Sequence, residues 1–87
     1  MHAEDFRKQL RAEFADATKR GASYVDINSG ELHRKVGGYP GPEHSMPSCC
    51  QVMYGEQTSF DRVLHAPPKG KGASLTVRYQ LPRSGLR

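Results

Sequence analysis

The sequence predicts a single α+β domain built from three helices, a short strand and a C-terminal β-hairpin. Three observations carry that expectation. Apolar residues recur at three- and four-residue steps through 3–20, the mark of an amphipathic helix. A Gly/Pro-rich stretch at 37–42 separates two short helical patterns. Beyond Phe60 the period falls to two, most clearly where Leu75, Val77, Tyr79 and Leu81 alternate with Ser74, Thr76, Arg78 and Gln80. The 87 residues are enough for one modest core and leave no room for a second domain, so residues 1–87 read as one unit.

In the first helix, 3–20, the stripe is Ala3, Phe6, Leu10, Phe14 and Ala17. Glu4 and Asp5 open it and Lys19 and Arg20 close it, signs that suit the helix dipole. Gly21 supplies the stop. Residues 23–27 form a short β-like run around Tyr24 and Val25, expected to add a third strand beside the hairpin. Asn28 reads as an N-cap with Glu31 completing an approximate capping box for the second helix, 29–36. Within it Leu32 and Val36 point to the core, and His33, Arg34 and Lys35 are expected on the outer surface or its edges. Gly37 and Gly38 end it.

Ser45 is the expected N-cap of the third helix, 46–54, with Pro47 in the first turn, where its missing N–H costs little. Met46, Cys49, Cys50 and Met53 share an apolar face, while Ser48, Gln51 and Gly55 share another. The hairpin spans 62–81, with a turn at 67–72 containing Lys69, Gly70, Lys71 and Gly72. Pro82 stops the ladder, and 82–87 is expected to fray.

Charge is unevenly spread. Residues 1–61 hold seven Lys/Arg and nine Asp/Glu, a net of −2. Residues 62–87 hold six Lys/Arg and no acid, a net of +6. An anionic partner at the C-terminal third and a solvated basic tail both fit that count. No apolar run approaches the ~20 residues of a membrane helix, and the N-terminus leads straight into a polar helix, so no membrane partner and a cytoplasmic location are expected.

The residue types for site chemistry are present without the spacing. The two cysteines, Cys49 and Cys50, are adjacent, which suits neither a disulfide scaffold nor paired zinc ligands. A Cys-His nucleophile would need an accessible thiolate, yet both cysteines lie mainly on the apolar side of their helix. Redox sensing by either one stays open. His33, Asp26, Glu31 and His44 form no visible carboxylate cluster for a nuclease, and the Gly/Pro turn lacks a phosphate-loop Lys-Ser/Thr ending. Neither catalysis nor a metal or cofactor is expected.

The order helix, short strand, helix, turn, helix, strand, turn, strand over residues 3–82 resembles the winged helix-turn-helix DNA-binding domain, and 32–41 is similar to stretches of small uncharacterised bacterial proteins. The resemblance implies that the third helix enters the major groove and that the hairpin acts as a wing on phosphate or in the minor groove. Its groove-facing positions would be Ser45, Ser48, Gln51 and Tyr54. A Gln can make two hydrogen bonds to adenine. Phosphate contacts would come from Arg34, Lys35, His44, Arg62, Lys69, Lys71, Thr76 and Arg78. The third helix carries no Lys or Arg, so the commonest specific contact, Arg to guanine, is missing from it. The implied function is non-enzymatic binding of double-stranded DNA, in transcription regulation or as an accessory in DNA processing. Protein interaction through the same fold is the alternative, and RNA binding a further one. DNA binding predicts a continuous positive surface linking Arg34, Lys35, Lys69, Lys71 and Arg78. A protein-binding module predicts an exposed apolar patch through Tyr54, Val52 or Phe60 instead.

Overall fold

A computed structural model describes residues 2–83 as a three-helix, three-strand α+β domain. The elements are α1 (Ala3–Lys19), β1 (Tyr24–Asn28), α2 (Ser29–Val36), α3 (Met46–Gly55), β2 (Arg62–His65) and β3 (Thr76–Gln80). The strands form one antiparallel sheet in the order β1-β3-β2. No helix among the described residues is long and apolar enough to cross a membrane.

Helix α1 buries Phe6, Leu10, Phe14 and Ala17, the stripe its sequence period marks out. It closes where Gly21 turns left-handed at φ 83, with its N–H on Thr18 O and the Ala22 N–H on Ala17 O. On β3, Val77 and Tyr79 are fully buried, so Thr76 and Arg78 belong to the opposite sheet face. The core closes between these two surfaces with Ile27, Leu32, Met46, Cys49, Cys50, Val52 and Met53. The phenol of Tyr79 donates to Met53 O at 2.7 Å, which joins the sheet to α3 and satisfies a buried hydroxyl.

The start of α2 is tied to the chain just before β3. The Asn28 side chain accepts the Glu31 N–H at 3.0 Å, as an N-cap should, and its amide donates to Ala73 O and Thr76 Oγ1. Ser29 N–H donates to Leu75 O at 2.8 Å, Gly30 N–H to Ala73 O at 3.2 Å, and the Ser29 hydroxyl to Gly72 O. Gly30 permits this approach, since a Cβ there would sit 3.1 Å from Ala73 O. These bonds explain why β3 is shorter than its alternating pattern: the carbonyls of Gly72, Ala73 and Leu75 are taken by the start of α2 and by the Asn28 side chain, and not by the backbone of a neighbouring strand.

Three expectations need correction. His33 is fully buried and not on the outer surface; its ring stacks edge-on to Phe6 at 4.8 Å and lies 5.3 Å from Tyr39. The Ser45 side chain does not cap α3. Two other N–H groups at the helix start are met by imidazole nitrogens: His33 Nε2 accepts the Ser45 N–H at 2.9 Å, and His44 Nδ1 accepts the Met46 N–H at 3.2 Å. With Nε2 accepting, the neutral His33 ring carries its proton on Nδ1, a buried atom without a partner. Of the tail expected to fray, Arg83 is held firmly and 84–87 lie outside the described residues. The Arg83 guanidinium donates to Asp61 at 2.8 and 2.9 Å and to Glu56 O at 2.6 Å, and it lies over the rings of Phe14 and Tyr79.

Candidate nucleic-acid interface

Helix α3 has its inner face set by Met46, Cys49, Cys50 and Met53, all buried. The opposite ridge is Pro47, Ser48, Gln51 and Gly55, of which Gln51 is exposed and Ser48 half-buried. Ser48, Gln51 and Gly55 line a shallow groove of about 410 Å³ against Ala3 and Arg7 of α1. Ser45 is half-buried at the helix start, with its backbone N–H committed to His33.

The ten-residue connection 66–75 between β2 and β3 folds against the other flank of α3. Its tip is a turn closed by the Gly70 N–H on Pro67 O at 2.8 Å, with Gly70 left-handed at φ 85. The Tyr54 hydroxyl donates to Gly70 O. Cys50 Sγ donates to Gly72 O and accepts the Gly72 N–H, each at 3.3 Å. The connection is thus fastened to α3 at two successive turns of the helix. Lys69 and Lys71 are exposed on it, and neither has an ion-pair partner among the described residues.

The other residues expected to touch DNA are placed differently. Arg34 pairs with Glu31 at 3.0 Å, Lys35 with Glu13 at 2.8 Å, and Arg78 with Asp26 through two bonds of 2.8 and 3.0 Å. Arg78 also stacks 4.1 Å over the Tyr24 ring. These pairs interrupt the continuous positive surface that the cation positions alone imply. The Asp26 carboxyl is held below its usual range by the hydrogen bonds from Arg78, against a smaller opposing effect of burial. Glu13 is also held low: burial alone would raise it, but the bonds from Lys35 and Gln9 outweigh that. Arg62 lies directly across from Arg78 on the sheet face remote from the helices, exposed and without an acid partner among the described residues.

Two hydroxyls are already spent. Thr76 Oγ1 donates to Ser74 O at 3.1 Å and accepts from Asn28, so it has no proton left for phosphate. Tyr54 has donated its proton to Gly70 O and serves the connection, not a base edge. His44 is exposed, and with Nδ1 accepting from Met46 the neutral ring carries its proton on Nε2.

The thiols offer no nucleophile. Cys49 and Cys50 are fully buried, and burial, with a smaller contribution from Cys50, pushes the Cys49 thiol up to about 12. No group of three or more His, Cys, Asp or Glu among the described residues is arranged to hold a metal ion. Among the described residues Phe60 is the most exposed large apolar residue at 80%, followed by Tyr24 at 44% and Leu64 at 41%; Val52 is buried and Tyr54 half-buried. No known family, curated protein or solved structure matches the chain.

Proposed function

We propose that the chain is a non-enzymatic DNA-binding domain of winged-helix type, with the 66–75 connection as a wing on duplex phosphate and the outer ridge of α3 turned to the groove. One observation carries the reading: Lys69 and Lys71, without an acid partner among the described residues, stand on a segment that Tyr54 and Cys50 fasten to the flank of α3. Two lysines on a rigid turn supply charge to phosphate without demanding fixed geometry. The element order and the β1-β3-β2 sheet agree with that architecture. Because Ser48 and Gln51 are the main polar side chains on the ridge, base reading is weak and binding is led by the wing. Such a domain would serve transcription regulation or a DNA-processing assembly.

The test is fluorescence anisotropy with random duplex DNA over a salt series. Binding should weaken with salt, and replacing Lys69 and Lys71 with Ala should reduce affinity for all sequences and shrink the salt slope by about 1 per lysine. Gln51→Ala should alter preference between sequences more than overall affinity. Unchanged affinity and slope in the double lysine variant would remove the wing from the mechanism. A second reading, a protein-binding module on the same fold, is favoured by the exposure of Phe60 and Leu64 at the start and middle of the β2 region.

A further inference from the structure

Two imidazoles hold the backbone at the start of α3. His33 Nε2 accepts the Ser45 N–H and His44 Nδ1 the Met46 N–H, so each bond requires one bare ring nitrogen. The segment 38–44, which joins α2 to α3, has few other ties. Apart from the His44 bond, its one hydrogen bond among the described residues runs from the His44 N–H to Gly41 O at 3.3 Å. Aromatic contacts do the rest. Tyr39 lies against the buried His33 ring, and the exposed His44 ring meets His33 and Tyr39 edge-on at 6.3 and 5.8 Å. The turn therefore covers His33.

The surroundings favour neutral rings. From α1, His33 meets only the ring of Phe6. From α2, the Arg34 guanidinium lies 5.5 Å over the Tyr39 ring, a cation close to the same cluster. Helix α3 contains no Asp, Glu, Lys or Arg, and the one acid of the turn, Glu43, is exposed. Neither imidazole forms an ion pair among the described residues. A proton added to His33 would put a charge in an enclosure where Nδ1 already lacks a partner.

We propose that the 38–44 turn is a proton-sensitive latch on the start of α3. When either ring takes up a proton, its accepting nitrogen becomes a donor that faces a backbone N–H, and the bond is lost. Tyr39 and His44 then swing outward and water reaches His33. The latch is complete while both rings are neutral. It is lost as pH falls through the span in which imidazole gains its proton, about pH 8 to 5. Its bearing on DNA rests on the proposed function: acid would loosen the ridge at Ser45 and Ser48 and leave the wing in place, since Tyr54 and Cys50 hold the wing without an imidazole. The latch itself does not depend on that reading.

The experiment is amide hydrogen exchange by NMR on the full chain without DNA, from about pH 7.5 to about pH 5.5, each rate divided by the intrinsic rate at that pH. Protection at Ser45 and Met46 should fall by about tenfold, as expected for two ordinary hydrogen bonds, with Gly70, Gly72, Val77 and Tyr79 unchanged. His33→Gln with His44→Asn offers a carboxamide oxygen, which does not titrate, in place of each accepting nitrogen, and should make protection at Ser45 and Met46 independent of pH. His44→Asn alone should steady Met46 and leave Ser45 sensitive, which keeps the test decisive where the double variant fails to fold. Constant protection at both amides in the wild type, a fall shared by Val77 and Tyr79, or an unchanged acid response in the variants would overturn the proposal. With no DNA present, none of these outcomes depends on whether the chain binds it.

Discussion

Replacing Asp61 with Ala should remove about 3 kcal/mol of the domain's stability. The Asp61 side chain is fully buried and accepts the Gln80 N–H at 2.8 Å, the Thr58 N–H at 2.7 Å, the Thr58 hydroxyl and the Arg83 guanidinium. Its removal leaves two backbone donors unmet and an arginine whose side chain is only 10% exposed without its counter-charge. Breaking a buried pair from one side costs about 3–5 kcal/mol. Arg83 keeps its bond to Glu56 O, so a loss near the lower end, about 3 kcal/mol, is expected. A domain of 87 residues has roughly 4–13 kcal/mol in total at ~0.05–0.15 kcal/mol per residue. Asp61→Asn keeps the shape and some acceptors and should cost less, about 1–3 kcal/mol.

Urea denaturation of the wild type, Asp61→Ala, Arg83→Ala and the double variant reads these numbers directly. The double variant should lose clearly less than the sum of the singles, because each single strands the other partner. Additive losses, or a loss within about 0.5 kcal/mol for Asp61→Ala, would refute the account of this pair. The pH dependence gives an independent check. Burial alone would raise the Asp61 pKa, but the Gln80 and Thr58 amides and Arg83 outweigh it and hold the folded value below the ordinary 3.8. The contribution is therefore complete above the unfolded value and is lost as pH falls through the folded one. Asp61→Asn should flatten the acid limb of the stability curve in that window.

Two further outcomes follow from the interior. His33→Gln preserves an acceptor for the Ser45 N–H where His33→Phe preserves only the ring, so the Phe variant should be less stable by about 1 kcal/mol, with faster hydrogen exchange at Ser45. Cys49 and Cys50 should resist alkylation in the folded protein at neutral pH and react only as the chain opens, so mass spectrometry after a timed pulse should find modification rising with urea in step with unfolding.

Local patterns in the sequence report contacts that repeat along one element. The stripe of α1 and the alternation of Val77 and Tyr79 each reflect one face pressed on one core, and both are readable from period alone. The Asn28 cap is readable because its acceptor and donor are three residues apart. Ser45 shows where this kind of reading stops: the local rule offers its hydroxyl to the N–H groups of the first turn, but the hydroxyl makes no such bond, and the fold brings an imidazole twelve residues away to the N–H of Ser45 itself. His33 departs from its expected surface position for a related reason, since a histidine between Leu32 and two cations has no local sign that aromatic rings from α1 and the α2–α3 turn will enclose it.

The sequence by itself determined the three helices, the hairpin alternation and the concentration of positive charge after Asp61. The tertiary structure alone decided which cations remain unpaired. Arg78 meets Asp26 across 52 residues and Lys35 meets Glu13 across 22, while Lys69 and Lys71 meet no acid among the described residues. Charge can be counted along a chain, but its effect depends on distances between side chains, and those are set only when distant segments pack together.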